Sequence, residues 1–327
     1  MRWLITGGCG FLGTSVIKQL KKEGNHSFRV LDNLTVGTRE DLAEAMSFVE
    51  VEHNKLLDLK NGECQLVVGD IRDSQIAHKV AKGVDAIIHF AANTGVPNSV
   101  ENPRLDMECN VIGIFNMLEA ARNNNIKRFV FASSGAPAGE VEPPIHEELP
   151  PHPVSPYGAS KLAGEGYCSA YSKTFGIDTV SLRFGNVYGP GSKHKFSVVA
   201  KFIRLAMEGK QVEIYGDGTQ TRDFIYIDDL VDAVIKAGTV ERIGGETYQI
   251  ATARETTLNE LMDFIKTAFE KKGISLDIQY GKKRLGDVMR NYSDTSKAEQ
   301  QLFWKVETSL PEGIEKTIEY FQSDTFK

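Results

Sequence analysis

Cysteine is scarce in this sequence of 327 residues: there are four, Cys9, Cys64, Cys109 and Cys168, and no two have CxxC or Cys/His zinc spacing. Such scatter in a long chain excludes a disulfide framework and gives no metal site, so the thiols read as reduced core residues. Long apolar runs are missing as well, and none approaches the ~20 residues needed to span a bilayer. The N-terminus, Met1-Arg2-Trp3-Leu4-Ile5-Thr6, goes straight into a strand-like run ending in glycines, too short and wrongly flanked for a signal peptide. A soluble cytoplasmic protein without a membrane partner is expected. Excess positive charge is also lacking: 38 Lys+Arg against 44 Asp+Glu give a net charge of -6 and no electrostatic footprint for nucleic acid. A local pair of arginines can still bind an anion. No internal repeat or low-complexity tract is present.

Hydrophobic residues make up 41% and charged ones 25%, which permits a large buried core. In the first half, β-rich apolar runs alternate with helix-period runs. Strands are expected at 3–6, 28–31, 66–68, 86–90, 129–132 and 179–183. Several are continuously apolar, as strands covered on both faces are. A helix with Leu12, Val16, Ile17 and Leu20 on one face stops at Gly24, and another spans 104–124. The charged stretch 39–62 reads as an inserted helix and loop. This βαβ alternation predicts an α/β fold, a doubly wound parallel sheet of Rossmann type. After about Phe184, Gly, Pro, Asp and Thr become frequent and short strands mix with short helices. The expected division is a cofactor-binding domain over 1–183 and a smaller mixed α/β substrate domain over 184–327, with a segment near 224–251 returning to the first.

Thr6-Gly7-Gly8-Cys9-Gly10-Phe11-Leu12-Gly13 follows the first strand and opens the first helix. Gly7, Gly10 and Gly13 have GxxGxxG spacing. A diphosphate must approach backbone N–H groups at a helix N-terminus, and side chains there would block it. Asp32, ending the second strand, can accept both ribose hydroxyls of an adenosine and would repel an extra phosphate, so the cofactor is expected to be NAD. With Asn33 it could equally start a turn. Asp70-Ile71, after the third strand, can reach the adenine amino group. Phe90-Ala91-Ala92, after the fourth, offers small residues beside phosphates and ribose. Phe184, just after the sixth, joins this set.

Ser155-Pro156-Tyr157-Gly158-Ala159-Ser160-Lys161 reads as an N-cap, a first-turn proline, and Tyr157 and Lys161 one turn apart on one face. A free tyrosine has a pKa near ~10, too high for a base at neutral pH. A nearby ammonium and a positive nicotinamide would favour its phenolate. Tyr157 is thus a candidate base for a sugar hydroxyl, Lys161 can hold the nicotinamide ribose, and Ser134, at the end of the fifth strand, can bond the same hydroxyl.

Together these residues resemble the extended short-chain dehydrogenase/reductase family, in its NAD-dependent epimerase/dehydratase branch. The likeness runs from Met1 to about residue 320, through "TGGCGFLG", "LDNLTVGTRE", "GDIRD", "HFAANTGVPNSVENP", "NVIGIFNMLEAA", "YGASK", "LRFGNVYGP", "GDGTQTRDFIYIDDL" and "RLGDVMRNYSDTSKA". The resemblance implies a Ser134–Tyr157–Lys161 triad with Asn110 supporting it from a neighbouring helix. It implies a nucleotide-sugar substrate whose diphosphate meets Asn186, Arg222 and Arg284. Asp287 would meet the nucleotide ribose, and Tyr215 and Val199 would lie near the base. Two guanidiniums for two phosphates and a carboxylate for a diol are chemically coherent. Asn291, four residues after Asp287, stands where a tyrosine in related epimerases crowds a 2-N-acetyl group. The small Asn291 and Gly95 would leave room for one, implying UDP-N-acetylglucosamine or UDP-glucose. The helices at 104–124 and 156–174 would pair with a second copy in a homodimer.

One motif departs from the family. Its Ser-Ser-x-x-Val-Tyr-Gly is here Ser133-Ser134-Gly135-Ala136-Pro137-Ala138-Gly139, so the usual tyrosine is Ala138. Family dehydratases carry Asp-Glu directly after the catalytic Ser/Thr, and decarboxylases usually have a glutamate in that loop. Gly135 and Ala136 can move no proton, which favours a UDP-sugar 4-epimerase over a dehydratase or decarboxylase. A non-catalytic NAD-binding sensor would usually have lost the tyrosine or lysine, and both are present.

Overall fold

The computed structural model describes residues 1–192, 197–283 and 288–323. Its centre is a sheet of eight strands, all paired in parallel. In chain order the first elements are β1 (Arg2–Thr6), α1 (Phe11–Glu23), β2 (Ser27–Asp32), α2 (Arg39–Ala45), β3 (Val49–Glu50), β4 (Cys64–Val68), α3 (Ser74–Val80) and β5 (Ala86–His89). There follow α4 (Val96–Glu101), α5 (Pro103–Met107), a π turn (Glu108–Ile112), α6 (Gly113–Asn123), β6 (Arg128–Ser134), α7 (Pro156–Phe175) and β7 (Asp178–Phe184).

The chain then leaves the sheet through β8 (Asn186–Tyr188), α8 (Val198–Met207), β9 (Val212–Tyr215), β10 (Thr221–Arg222), β11 (Phe224–Tyr226) and α9 (Ile227–Thr239). It returns as β12 (Glu246–Ile250), which pairs with β7. The remainder comprises β13 (Thr256–Thr257), α10 (Leu258–Glu270), β14 (Ile278–Gly281), α11 (Ser296–Gln301) and α12 (Leu310–Gln322). Three two-stranded sheets, β10 with β13, β11 with β8 and β14 with β9, form the smaller mixed region.

The sheet order is β12-β7-β6-β5-β1-β2-β4-β3. Adjacent residues of one strand enter different cores: Trp3 and Ile5 face one and Leu4 the other, as do Val30 against Leu31, Ile88 against Ile87, and Val130 against Phe129 and Phe131. Both faces are dry, so the strands read as unbroken apolar runs rather than alternating ones. Helices α1, α2 and α9 pack together on one face, and α3, α6 and α7 on the other. Chain direction through the sheet reverses about β1, whose neighbours are β2 and β5. The carboxyl ends of β1 and β5 therefore flank the switch point, where open α/β sheets bind ligands.

Two expectations need refinement. The stretch 39–62 holds a helix, but it also contributes β3, an exposed two-residue edge strand too short to leave a periodic signal. The helix expected at 104–124 is three pieces, with a π turn from Glu108 to Ile112. A π turn inserts one residue and shifts the faces on either side of it, which period counting cannot register. No helix among the described residues is long and apolar enough to cross a membrane.

Candidate active site

The loop after β1 is shaped by glycine at backbone level. Gly7 adopts φ +67°, and a Cβ there would lie 2.8 Å from the Ala91 nitrogen. A Cβ on Gly13 would come within 2.5 Å of the Gly8 Cα, so α1 can rise tightly behind the loop only without one. Gly10 is the N-cap of α1 and makes no side-chain cap, and no acidic residue occupies the first turn. No side chain of the cap or first turn competes for the N–H groups that open a helix, which suits an anion there. Phe11 and Leu12 pack partly into the core. A Cβ on Gly37 would sit 2.3 Å from the Cys9 carbonyl, so the loop after β2 also presses on this cradle. Gly37 was not among the expected site residues; its place within "TVGT" after the acid of β2 was the available signal.

Asp32 is 7% exposed, and burial raises its carboxyl above the usual range. The Cys9 N–H donates to Oδ2 at 2.9 Å and the Leu34 N–H to Oδ1 at 2.9 Å, which pull it back. The residue thus ties the glycine loop to β2 and starts the turn at Asn33. Each carboxylate oxygen keeps a further lone pair for a ribose hydroxyl. Asn33 Nδ2 donates to Asp70 Oδ2 at 3.3 Å, so the two expected adenosine contacts adjoin. Arg72 donates to Asp70 through Nε at 3.0 Å and a terminal nitrogen at 2.8 Å, holding that carboxyl below its ordinary range. Ile71 is buried against Gly113, where a Cβ would meet its Cδ1 at 2.4 Å. Ala91 and Ala92 line the switch point half-buried, with the Ala91 N–H donating to Thr6 Oγ1 at 3.2 Å. Phe90 and Phe184 each place part of the ring in the core.

The next layer joins β6, the π turn and α7. A Cβ on Gly164 would meet the Phe131 ring at 2.5 Å, so α7 lies directly on β6. Ser155 caps α7 by accepting from the Gly158 N–H at 3.1 Å, with Pro156 in the first turn. Lys161, 3% exposed, donates from Nζ to the Ala132 carbonyl at 2.8 Å. Burial pushes its ammonium down to about 8, opposed first by Asp106 and then by Glu165. Burial pushes the Tyr157 phenol up to about 12, and the influence pulling it down is Ser134. Nζ lies over the tyrosine ring, 5.9 Å from its centroid, and is held there by the Ala132 carbonyl. Ser134 Oγ also accepts from the Ala136 N–H at 3.2 Å, which fixes it at the mouth of the altered loop. That loop is a short turn, Ala136–Ala138, with Pro137 and Ala138 buried, so the alanine fills core rather than facing a ligand.

Asn110 lies in the π turn and is 2% exposed. Its Nδ2 reaches the Asn93 carbonyl at 2.9 Å, Asp106 Oδ1 at 2.9 Å and Ser160 Oγ at 3.2 Å, while its Oδ1 accepts from the Asn93 N–H at 2.8 Å. The buried Asn93 Nδ2 meets no partner, an orphan donor on the loop after β5. The backbone cradle, this orphan donor and the carboxyl of Asp32 together fit a dinucleotide.

Of the expected substrate residues, Asn186 begins β8, is half-buried, and donates its N–H to the Asp223 carbonyl at 2.7 Å. Arg222 donates to the Thr221 carbonyl at 2.6 Å and the Val288 carbonyl at 2.7 Å, which anchors its guanidinium between two segments. Tyr215 borders a cavity of about 220 Å³ with Gly216, Asp217, Gln220, Lys283 and Met289. Val199, on α8, has its side chain 1% exposed within the core. The Asn291 N–H donates to Thr221 Oγ1 at 3.1 Å, and its segment runs beside Ile145 of the loop after β6. The preceding residue, Arg290, pairs with Glu255 and with Glu142 of that loop. Arg284 and Asp287 lie outside the described residues.

A buried network absent from the sequence reading underlies the site. Glu165 of α7 accepts from Arg183 of β7 at 2.8 and 2.7 Å, and from Ser133 Oγ at 2.5 Å. No local pattern marks it: Arg183 alternates with Thr179 and Ser181 on its face of β7, and Glu165 stands one turn after Lys161 on α7.

Comparison with known proteins agrees with this geometry. Residues 3–251 match the model of the NAD dependent epimerase/dehydratase family. A putative UDP-glucose 4-epimerase of Methanocaldococcus jannaschii is 38% identical over 98% of both chains. The structure of a UDP-glucose 4-epimerase from Thermotoga maritima with UDP-glucose has a TM-score of 0.87 at 32% identity, covering 99% of this chain and 100% of that one. A UDP-N-acetylglucosamine 4-epimerase from Methanobrevibacter ruminantium, solved with UDP-N-acetylmuramic acid, has a TM-score of 0.87 at 29% identity, covering 98% of each.

Proposed function

Because the chain belongs to the NAD-dependent epimerase/dehydratase family, we propose that it is a UDP-sugar 4-epimerase acting on UDP-N-acetylglucosamine or UDP-glucose. The observation that carries this reading is the Ser134–Tyr157–Lys161 set opening onto a loop with no proton-moving group at Gly135 and Ala136. A dehydratase must remove a C5 proton and expel a C6 hydroxyl, which needs an added acid and base. The next acids, Glu140 and Glu142, are exposed, and Glu142 is held by Arg290.

In this reading Tyr157, hydrogen-bonded through Ser134, takes the proton from the sugar O4. Bound NAD supplies a reversible hydride acceptor at C4. Lys161 holds the nicotinamide ribose and keeps a positive charge near the phenol. The 4-keto sugar turns over about its bond to the diphosphate, while Arg222, Asn186 and Arg284 hold the diphosphate still. Fixing the nucleotide as the sugar moves is the positioning use of binding energy. The cavity beside Tyr215 is the expected seat of the base, and Asp287 of its ribose.

The sugar is tested with a panel of UDP-hexoses and product NMR. Wild type is expected to interconvert UDP-N-acetylglucosamine and its C4 epimer without change of mass. Asn291→Tyr should lower kcat/KM for the N-acetylated sugar by about 10-fold or more while sparing UDP-glucose. Turnover of UDP-glucose alone by wild type, or an N-acetyl activity indifferent to the substitution, would defeat the pocket argument.

We further propose a homodimer. Met107, Ile112, Phe115 and Tyr167 are exposed on the α5–α6 and α7 surface, and Phe115 meets Tyr167 edge-on at 5.7 Å. Exposed apolar side chains on these helices suit a second copy of the same helices. Light scattering at micromolar concentration should give twice the chain mass, and Phe115→Glu should give the single-chain mass. A monomeric wild type would refute the pairing.

A further inference from the structure

Lys161 carries its ammonium in a nearly dry site, and its one neutral acceptor is the Ala132 carbonyl. A buried charge needs an opposite charge nearby or it gives up its proton. Of the two carboxylates it feels, Glu165 is already committed to the Arg183 guanidinium through two bonds. Asp106 is not so committed. It stands on α5 one turn before Asn110, is 1% exposed, and gives one oxygen to the Asn110 amide at 2.9 Å. Its other oxygen, Oδ2, is buried and accepts no well-directed hydrogen bond, because the nearby Ser160 hydroxyl donates to the Tyr157 carbonyl at 3.0 Å. An unpaired buried carboxylate oxygen is costly, and a purely structural position would be better served by a neutral side chain.

We propose that Asp106 is a positioning residue of the reaction, a buried counter-charge held through Asn110 that keeps Lys161 protonated beside Tyr157. The inference rests on the epimerase reading for its chemistry, and on the burial of Asp106 and its Asn110 link to Ser160, next to Lys161 on α7, for its placement. The groups facing Lys161 are Asp106 from α5, Tyr157, Glu165 and Cys168 from α7, and His89 from β5. His89 is fully buried, and burial lowers it to about 3, so it stays neutral at working pH and supplies no charge. Burial raises the Asp106 carboxyl, with Ser160 and Lys161 pulling it back. A negative charge here favours the protonated form of both Lys161 and Tyr157. Its removal therefore lowers both affinities for protons.

The test compares wild type with Asp106→Asn, each purified with NAD. In Asp106→Asn both limbs of the kcat profile should move to lower pH together, by about one unit, with KM for the UDP-sugar little changed. Asp106→Glu should return the limbs towards their wild-type positions. A sugar-free readout separates this inference from the functional one. The phenolate absorbance of the NAD-loaded protein, with Tyr157→Phe as the blank, should also titrate at lower pH in Asp106→Asn. That shift without any epimerisation by wild type would refute the function and leave the counter-charge standing. A lower rate with limbs and phenolate titration unmoved would overturn the proposal. If Asp106→Asn does not fold, Asp106→Ser takes its place, and failure of both to fold marks the carboxylate as structural and also overturns it.

Discussion

Tyr157→Phe is expected to lower turnover by about 100-fold or more while NAD stays bound. The substitution removes one oxygen from a half-buried ring and keeps the ring itself, so packing changes little. What disappears is the group that, in the proposed mechanism, accepts the sugar O4 proton while hydrogen-bonded through Ser134. The phenol is pushed up to about 12 by burial, so the free protein keeps Tyr157 protonated at neutral pH. The base becomes available only when further positive charge enters the site, as a bound nicotinamide would bring. Steady-state assay of the substituted holoenzyme, with its NAD content measured after denaturation, checks both halves. Near-normal turnover would sink the assignment of the base.

The second large effect concerns stability. Glu165→Ala should destabilise the protein by about 3–5 kcal/mol, because it strands the Arg183 guanidinium in the core. Arg183 and Glu165 have side chains only 5% and 7% exposed, and one Arg183 nitrogen already lacks a partner. The loss should reflect an uncompensated charge rather than the intrinsic value of the pair. The double replacement Glu165→Leu with Arg183→Met should therefore recover most of it. Urea denaturation of the NAD-loaded proteins measures both. A single replacement within about 1 kcal/mol of wild type would show that water reaches the pair, contrary to its burial.

The legible parts of the sequence were those where one local rule dominates. Continuous apolar strands follow from a sheet covered on both sides, and the glycines at 7 and 13 from a backbone that leaves no room for a Cβ. The Ser155–Pro156 start of α7 follows from capping, and it places Tyr157 and Lys161 one turn apart. Contacts made at a distance along the chain were not legible. No pattern near Asp106 shows that its carboxylate meets an amide on a π turn, because the turn itself breaks the period. Glu165 reads as an ordinary helix acid until β7 brings Arg183 across to it. The place of Val199 in the motif order says nothing of its side chain, which belongs to the amphipathic face of α8 and goes into the core. Family register locates a residue along the chain, whereas the side chain's direction follows from packing.

The return of β12 to the main sheet also orders how the protein is made. A ribosome releases β7 well before residues 246–250, so β7 waits with one open edge while the whole excursion from β8 to α9 is still being synthesised. The nascent chain therefore passes through a stage with an apolar, unpaired strand edge, the kind of surface that recruits other chains. Truncated products ending between residues 190 and 245 should be the ones that need a chaperone, and the full chain buries the hazard only when its sheet is closed by its own later half.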